Sequence, residues 1–293
     1  MNEFRVERVG KGAFASPLDS NVFIDETEGV VVDATLSGLK RRSALAIGEE
    51  IRKRGLPISV VGIPKTIDND LSFTEKTFGF ETAVAMSQAP ITGAHMEAKG
   101  VENGIGIVKL MGRESGFIAT YATLASSDVD LVVIPEASFS MDGVFAYLKE
   151  RIIRKNHAVI VVAEGAGQEH VSAQGFDESG NRRLGDIGSF LKRAIEGYFS
   201  TQGIPATVKY LDPSYIIRSA PATPDDSVLS FQLAEHAVHA AMSGRTEMVV
   251  GLWNGHFVHV PSPLAVRERK QVDTSSLLWQ SALDNTGQPR SLV

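Results

Sequence analysis

The residues best able to do chemistry crowd one turn. Pro64-Lys65-Thr66-Ile67-Asp68-Asn69-Asp70 follows an apolar run and gathers two carboxylates, a hydroxyl, an amide and an ammonium. At the carboxyl end of a strand such a cluster suits a polyanion or a metal, although an Asx-rich turn has the same composition. A second segment, Lys109-Leu110-Met111-Gly112-Arg113-Glu114-Ser115-Gly116, reads as a passage from strand to helix. Backbone N–H groups, the helix dipole and the Arg113 guanidinium would suit phosphoryl oxygens there; a solvated Arg113–Glu114 pair beside packing glycines is the plainer reading. Ala163-Glu164-Gly165-Ala166-Gly167 ends another apolar strand with an acid and two glycines. Tyr215 and Arg218 lie three residues apart, close together on a helical turn but not on a strand.

These segments need elements to hold them. Helical spacing over Ser43–Arg54 leads to the β-branched run Ile58–Ile63, and the alternation recurs. Helix-like Glu81–Ala98, Ser115–Ser126 and Val144–Lys155 lead to strand-like Gly104–Leu110, Val129–Ile134 and Ala158–Ala163. Gln168–Arg183 reads as a surface loop. Ile187–Phe199 and Ser227–Ser243 read as helices, Ala206–Leu211 and Glu247–Trp253 as strands. Strands apolar on both faces and separated by helices predict an α/β fold, a parallel sheet covered by helices on both faces. Residues 1–30, with the turn cluster Ser16–Ser20, suggest an arm or a short hairpin. The expected organisation is an arm over 1–42, an α/β region over 43–266 and a tail over 267–293 that is partly disordered or a partner-binding helix.

The 293 residues are 43% hydrophobic and 22% charged, enough apolar content for a full core. A formal charge of -6 argues against nucleic acid or an anionic membrane as partner. With no cysteine there is no disulfide, thiolate zinc site or thiol nucleophile. The charged start and the lack of a spanning apolar run predict a cytoplasmic protein. His236 and His239 on a helix, and His256 and His259 in a strand-like alternation, read as ordinary surface rather than zinc ligands.

Taken together, the blocks Val60–Asp70, Lys76–Phe80, Val108–Ala119, Val162–Gln168 and Tyr210–Arg218 resemble the phosphofructokinase family, most closely its long, plant-like and bacterial branch. The resemblance runs from about Ser43 to about Pro261. It implies phosphoryl transfer to the 1-hydroxyl of fructose 6-phosphate, a glycolytic reaction. Asp68 falls on the position of the general base, Thr66 beside it, and Arg113 on the group that steadies the transferring phosphoryl. Met111, Gly112, Glu164, Tyr215 and Arg218 fall on sugar-phosphate positions, and Asp70 where a carboxylate organises Mg2+. Lys65 lies on the donor side and occurs with pyrophosphate and with ATP users, so it leaves the donor open. The family also implies an oligomer, of this chain or with an intact paralogue.

The same resemblance implies that something is missing. The family grips its donor with glycine-rich turns, one of them Gly-Gly-Asp-Gly-Thr, and this chain has no Gly-Gly pair. Phe14–Arg41 resembles the amino-terminal arm of long members, whereas Ser43–Arg54 resembles the helix that follows the glycine turn, which puts a seam near Arg41–Ser43. Val31-Val32-Asp33-Ala34-Thr35 echoes the lost turn, but Val32 and Ala34 carry Cβ atoms where glycine is needed, and the segment reads better as arm. The expectations are a truncated phosphofructokinase-like fold, the Asp68, Arg113 and Glu164 segments converging on one cleft, little turnover by the chain alone, and need of a partner. The alternative is a non-catalytic sugar-phosphate-binding subunit or remnant.

Overall fold

The computed structural model describes residues 22–25, 29–32, 41–171, 175 and 183–293. In chain order they begin with β1 (Val22–Asp25), β2 (Gly29–Val32), α1 (Arg41–Arg54), β3 (Val60–Gly62), α2 (Phe80–Lys99) and β4 (Gly104–Leu110). Next come α3 (Phe117–Leu124), β5 (Leu131–Val133), α4 (Met141–Lys155), β6 (His157–Ala163), α5 (Ile187–Thr201) and β7 (Thr207–Leu211). The remainder is α6 (Ser214–Ser219), α7 (Pro224–Met242), β8 (Met248–Trp253), β9 (His256–Pro261), α8 (Ser262–Ala265) and α9 (Leu277–Thr286). The Asp33–Thr35 echo and most of the Gln168–Arg183 loop lie outside the described residues.

The chain divides into two units, Met1–Phe80 with Phe176–Asn181 and Ala222–Lys270, and Glu81–Gly175 with Arg182–Pro221 and Gln271–Val293. The strands expected in one sheet therefore form two. The first unit holds the order β1-β2-β3-β8-β9, parallel at β2-β3-β8 and antiparallel at both edges. β1 and β2 pair antiparallel, and β2 joins the sheet beside β3; the Ser16–Ser20 turn cluster lies outside the described residues. β8 and β9 are joined by Asn254-Gly255, both with positive φ (49° and 74°), the two-residue turn that matches strand twist. His256–His259, read as strand-like and surface, lies in β9 with both histidines exposed, and His236 stacks on Phe257 with ring centroids 4.3 Å apart. α7 buries Leu229, Leu233, Ala237 and Ala240 against Val61, Met248 and Val250, a spacing of three and four that keeps one helical stripe on the sheet.

The second unit is a fully parallel sheet, β5-β6-β4-β7. Alternation along β4 explains why both faces are covered. Ile105 and Ile107 join the apolar cluster with Leu148, Ile152, Leu191 and Ile195 of α4 and α5. Gly104 and Gly106 face the other way, where a Cβ on Gly106 would lie 3.0 Å from that of Ala94 in α2. Local signals set the helix ends. The Ser140 hydroxyl accepts the Gly143 N–H at 3.0 Å to open α4, and left-handed Asn156 closes it.

The expected tail is folded. Residues 267–270 belong to the first unit and the rest to the second, where α9 buries Trp279, Ala282 and Leu283. Apolar positions at i, i+3 and i+4 account for the docking, with the Ser276 hydroxyl as cap.

Candidate active site

In the first unit β3 is wholly buried and delivers the chain into the acidic turn. Asn69 sits at φ 52°, in the left-handed region that asparagine tolerates. Its amide nitrogen donates to the Glu75 carbonyl at 3.1 Å and its amide oxygen accepts the Thr77 N–H at 3.1 Å. The Thr77 hydroxyl donates to the Thr66 carbonyl at 2.5 Å, which closes the loop. Within it the Thr66 hydroxyl accepts the Asp68 N–H at 3.2 Å and donates to Asp70 Oδ1 at 3.3 Å. Thr66 therefore orders the turn that presents Asp68, whose residue is part-exposed while Asn69 and Asp70 are buried. Lys65 is part-exposed, and its backbone bridges to Phe78.

Residues from the expected tail clasp this loop. Leu71 bridges to Arg269, the Ser72 hydroxyl donates to the Glu268 carbonyl at 2.8 Å, and the Lys270 N–H donates to the Asp70 carbonyl at 2.9 Å. Lys270 Nζ donates to the carbonyls of Thr74 (2.9 Å) and Glu75 (3.0 Å). Burial brings its pKa down to about 8, against the opposing pull of Asp70 and Glu75. On the other side, the Gly79 N–H donates to Oδ1 of buried Asp226 at 2.8 Å.

Asp70 was the expected Mg2+ ligand. Its side chain is 4% exposed, Oδ1 takes the Thr66 hydroxyl, and Oδ2 lies 3.5 Å from Arg269 Nη1. Asp70 thus ties the loop to Thr66 and Arg269. Among the described residues no three His, Asp or Glu side chains are grouped to hold a metal.

In the second unit β4 delivers Met111 and Gly112 to buried positions and Arg113 to a part-exposed one. Gly112 has φ 128°, and a Cβ there would stand 2.4 Å from the Ser115 carbonyl, so glycine is required. The Glu164 turn closes on this loop. Glu164 N–H donates to the Leu110 carbonyl at 2.9 Å and Gly165 N–H to the Gly112 carbonyl at 3.1 Å. The Arg113 and Glu164 segments are thereby joined through their backbones; Asp68 belongs to the other unit.

Sequence reading missed Glu136. Its Oε1 accepts the N–H of Gly116, at the start of α3, at 2.9 Å, and that of Val272 at 2.8 Å. Burial pushes its pKa up, against the lowering effect of these bonds.

Tyr215 and Arg218 share the short helix α6, both exposed, Tyr215 at 88%. Asp212 opens that helix, its Oδ1 accepting the Ser214 N–H at 3.1 Å and the Ser214 hydroxyl. Its other oxygen, Oδ2, lies 2.7 Å from Lys109 Nζ, which is also 3.8 Å from Asp186 Oδ1. The Tyr210 hydroxyl donates to the same Asp186 oxygen at 2.8 Å. Burial works against the Lys109 charge, but hydrogen bonds with Asp212 and Tyr210 outweigh it and raise the pKa. Burial likewise opposes the Asp212 charge, and the Lys109 and Ser214 bonds prevail to lower its pKa. Burial pushes the Tyr210 hydroxyl up to about 12. The link between Asp212 and Lys109 leaves no mark in the sequence, because β4 and β7 pair only in the fold.

Comparison with known proteins places this arrangement. The family model described as Phosphofructokinase matches residues 36–241. An ATP-dependent 6-phosphofructokinase of Borreliella burgdorferi is 47% identical over 263 residues, covering 86% of this chain and 59% of the relative. One from Amycolatopsis methanolica is 49% identical over 259 residues, covering 85% and 56%. The chain thus spans a little over half the length of these curated relatives. A solved pyrophosphate-dependent phosphofructokinase from Marinobacter aquaeolei superposes with TM-score 0.67 at 18% identity, over 85% of this chain and 65% of that one. That likeness shows the fold. With the family model covering most of the chain and relatives near one-half identity across it, the chain belongs to the phosphofructokinase family.

Proposed function

We propose that this chain is a 6-phosphofructokinase phosphotransferase that moves a phosphoryl group to the 1-hydroxyl of fructose 6-phosphate. The observation that carries the reading is the lock between the Gly112 and Gly165 turns, which joins the segments bearing Arg113 and Glu164 at strand carboxyl ends. Curated relatives named as ATP-dependent enzymes favour ATP over pyrophosphate and turnover over a non-catalytic remnant.

Asp68 takes the proton of the sugar hydroxyl, held in its turn by Thr66, and Arg113 balances charge on the transferring phosphoryl. Met111, Gly112, Glu164, Tyr215 and Arg218 hold the sugar phosphate, and Lys65 faces the donor. The donor would come with magnesium, and Asp70 is the carboxylate that would help organise the ion. Asp70 also ties the loop to Thr66 and Arg269. A cytoplasmic homo-oligomer, or assembly with an intact paralogue, completes the reading, with an arm over 1–42, an α/β region over 43–266 and a tail over 267–293.

The test is an assay of purified, folded chain with fructose 6-phosphate, magnesium and either ATP or pyrophosphate. Expected is fructose 1,6-bisphosphate formed with ATP and lost in Asp68→Asn. No product from folded protein with either donor would overturn catalysis by this chain and support the consequence of the absent glycine turn.

A further inference from the structure

The parallel ladder between β4 and β7 ends at Val108 paired with Leu211, so Lys109, still paired with Val162 of β6, and Asp212 are the next residues along their two chains. Their 2.7 Å contact joins two segments of different destinations. From Lys109 the chain runs directly into Met111, Gly112 and Arg113; from Asp212 it runs into α6 with Tyr215 and Arg218.

We propose that the Lys109–Asp212 ion pair is a positioning device for sugar-phosphate recognition, setting α6 against the Met111–Arg113 loop. The proposal rests on the proposed function and assigns to it two residues outside the proposed sugar-phosphate set.

Helix α6 has only six residues, too few to be stable alone, and buries only Ser214 and Ile217. Its orientation therefore depends on what holds its first turn. Asp212 does this with one oxygen on the Ser214 N–H and the other on Lys109. Lys109 is 15% exposed and held from the far side by Asp186, which also caps α5 and receives the Tyr210 hydroxyl. A lysine anchored on a buried strand fixes the carboxylate more firmly than one on a loop. Both partners stay charged near neutral pH, as the raised Lys109 and lowered Asp212 values require.

The experiment compares wild type with Lys109→Met, Lys109→Arg, Asp212→Asn and the Met/Asn double variant. Fructose 6-phosphate binding is read by calorimetry, kcat and KM by turnover, and hydrogen exchange at the amides of 214–219. Expected are about tenfold weaker sugar binding and higher KM in each neutralising variant. The double variant should be no worse than the worse single, Lys109→Arg should fall between, kcat should hold, and exchange at α6 should speed up. Variants that bind as wild type does, or that lose kcat at unchanged KM, overturn the positioning role alone. If wild type binds no fructose 6-phosphate, the proposed function fails at the sugar site and the recognition role falls with it. Lys109→Arg keeps charge and fold, so its intermediate affinity tests the geometry even if Lys109→Met does not fold.

Discussion

The N–H of Gly165 donates to the carbonyl oxygen of Gly112 at 3.1 Å, and the two turns lie so close that a Cβ on Gly165 would stand 1.9 Å from the Arg113 carbonyl oxygen. Backbone thus fills the space where any other residue would put a side chain. The position of Arg113 is set by an absent methyl group.

Gly165→Ala should therefore push the Arg113 carbonyl away and cost about 1–3 kcal/mol of stability, the usual range for overpacking. Fructose 6-phosphate affinity should fall with it. Urea unfolding and calorimetry on the same preparation check both. Unchanged values would mean that the turns part without consequence.

How much of this was legible depends on how local the cause is. Gly104–Leu110 was bounded correctly from sequence because a β-branched run alternates with glycine and ends at a turn. The acidic turn announced itself by composition. The split into two sheets was not visible, because whether β3 pairs with β8 or with β4 is decided by chain far away. The β8–β9 hairpin carried its signal in Asn254-Gly255 and was missed by reading His256–His259 alone. Glu136, Asp226 and Lys270 escaped for one shared reason. Each bonds backbone groups of a distant segment, and backbone partners leave no mark in the sequence.

Gln288 illustrates the same kind of hidden partner at an edge. Its amide oxygen accepts the Val132 N–H at 2.7 Å and its nitrogen donates to the Val132 carbonyl at 3.1 Å, so one side chain pairs with β5 as a neighbouring strand would. Gln288→Ala leaves both buried groups without partners and should cost about 2–4 kcal/mol. Gln288→Glu should recover only part, since a carboxylate accepts the N–H but repels the carbonyl. Urea midpoints in the order wild type, Gln288→Glu, Gln288→Ala are expected; equal midpoints would show that water replaces the amide without loss.

Lys270 links the acidic loop to pH. Its ammonium is buried among the carbonyls of Thr74 and Glu75, with Asp70 and Glu75 as the charges that face it, and its pKa falls from 10.5 to about 8. Between those values the unfolded chain carries a proton that the folded chain has released. Stability therefore rises with pH across that window, and this contribution is lost as pH falls through about 8. The full difference is on the order of 3 kcal/mol. Lys270→Met removes the titrating group along with two hydrogen bonds to the loop. Wild type should thus gain on Lys270→Met by that amount between pH 7.5 and pH 10.5, a window fixed by the two values. Urea unfolding at several pH values in that range gives the slope. Parallel curves for the two proteins would show that Lys270 keeps an ordinary pKa, and that the clasp on the acidic loop is held by the backbone bond to Asp70 rather than by the ammonium.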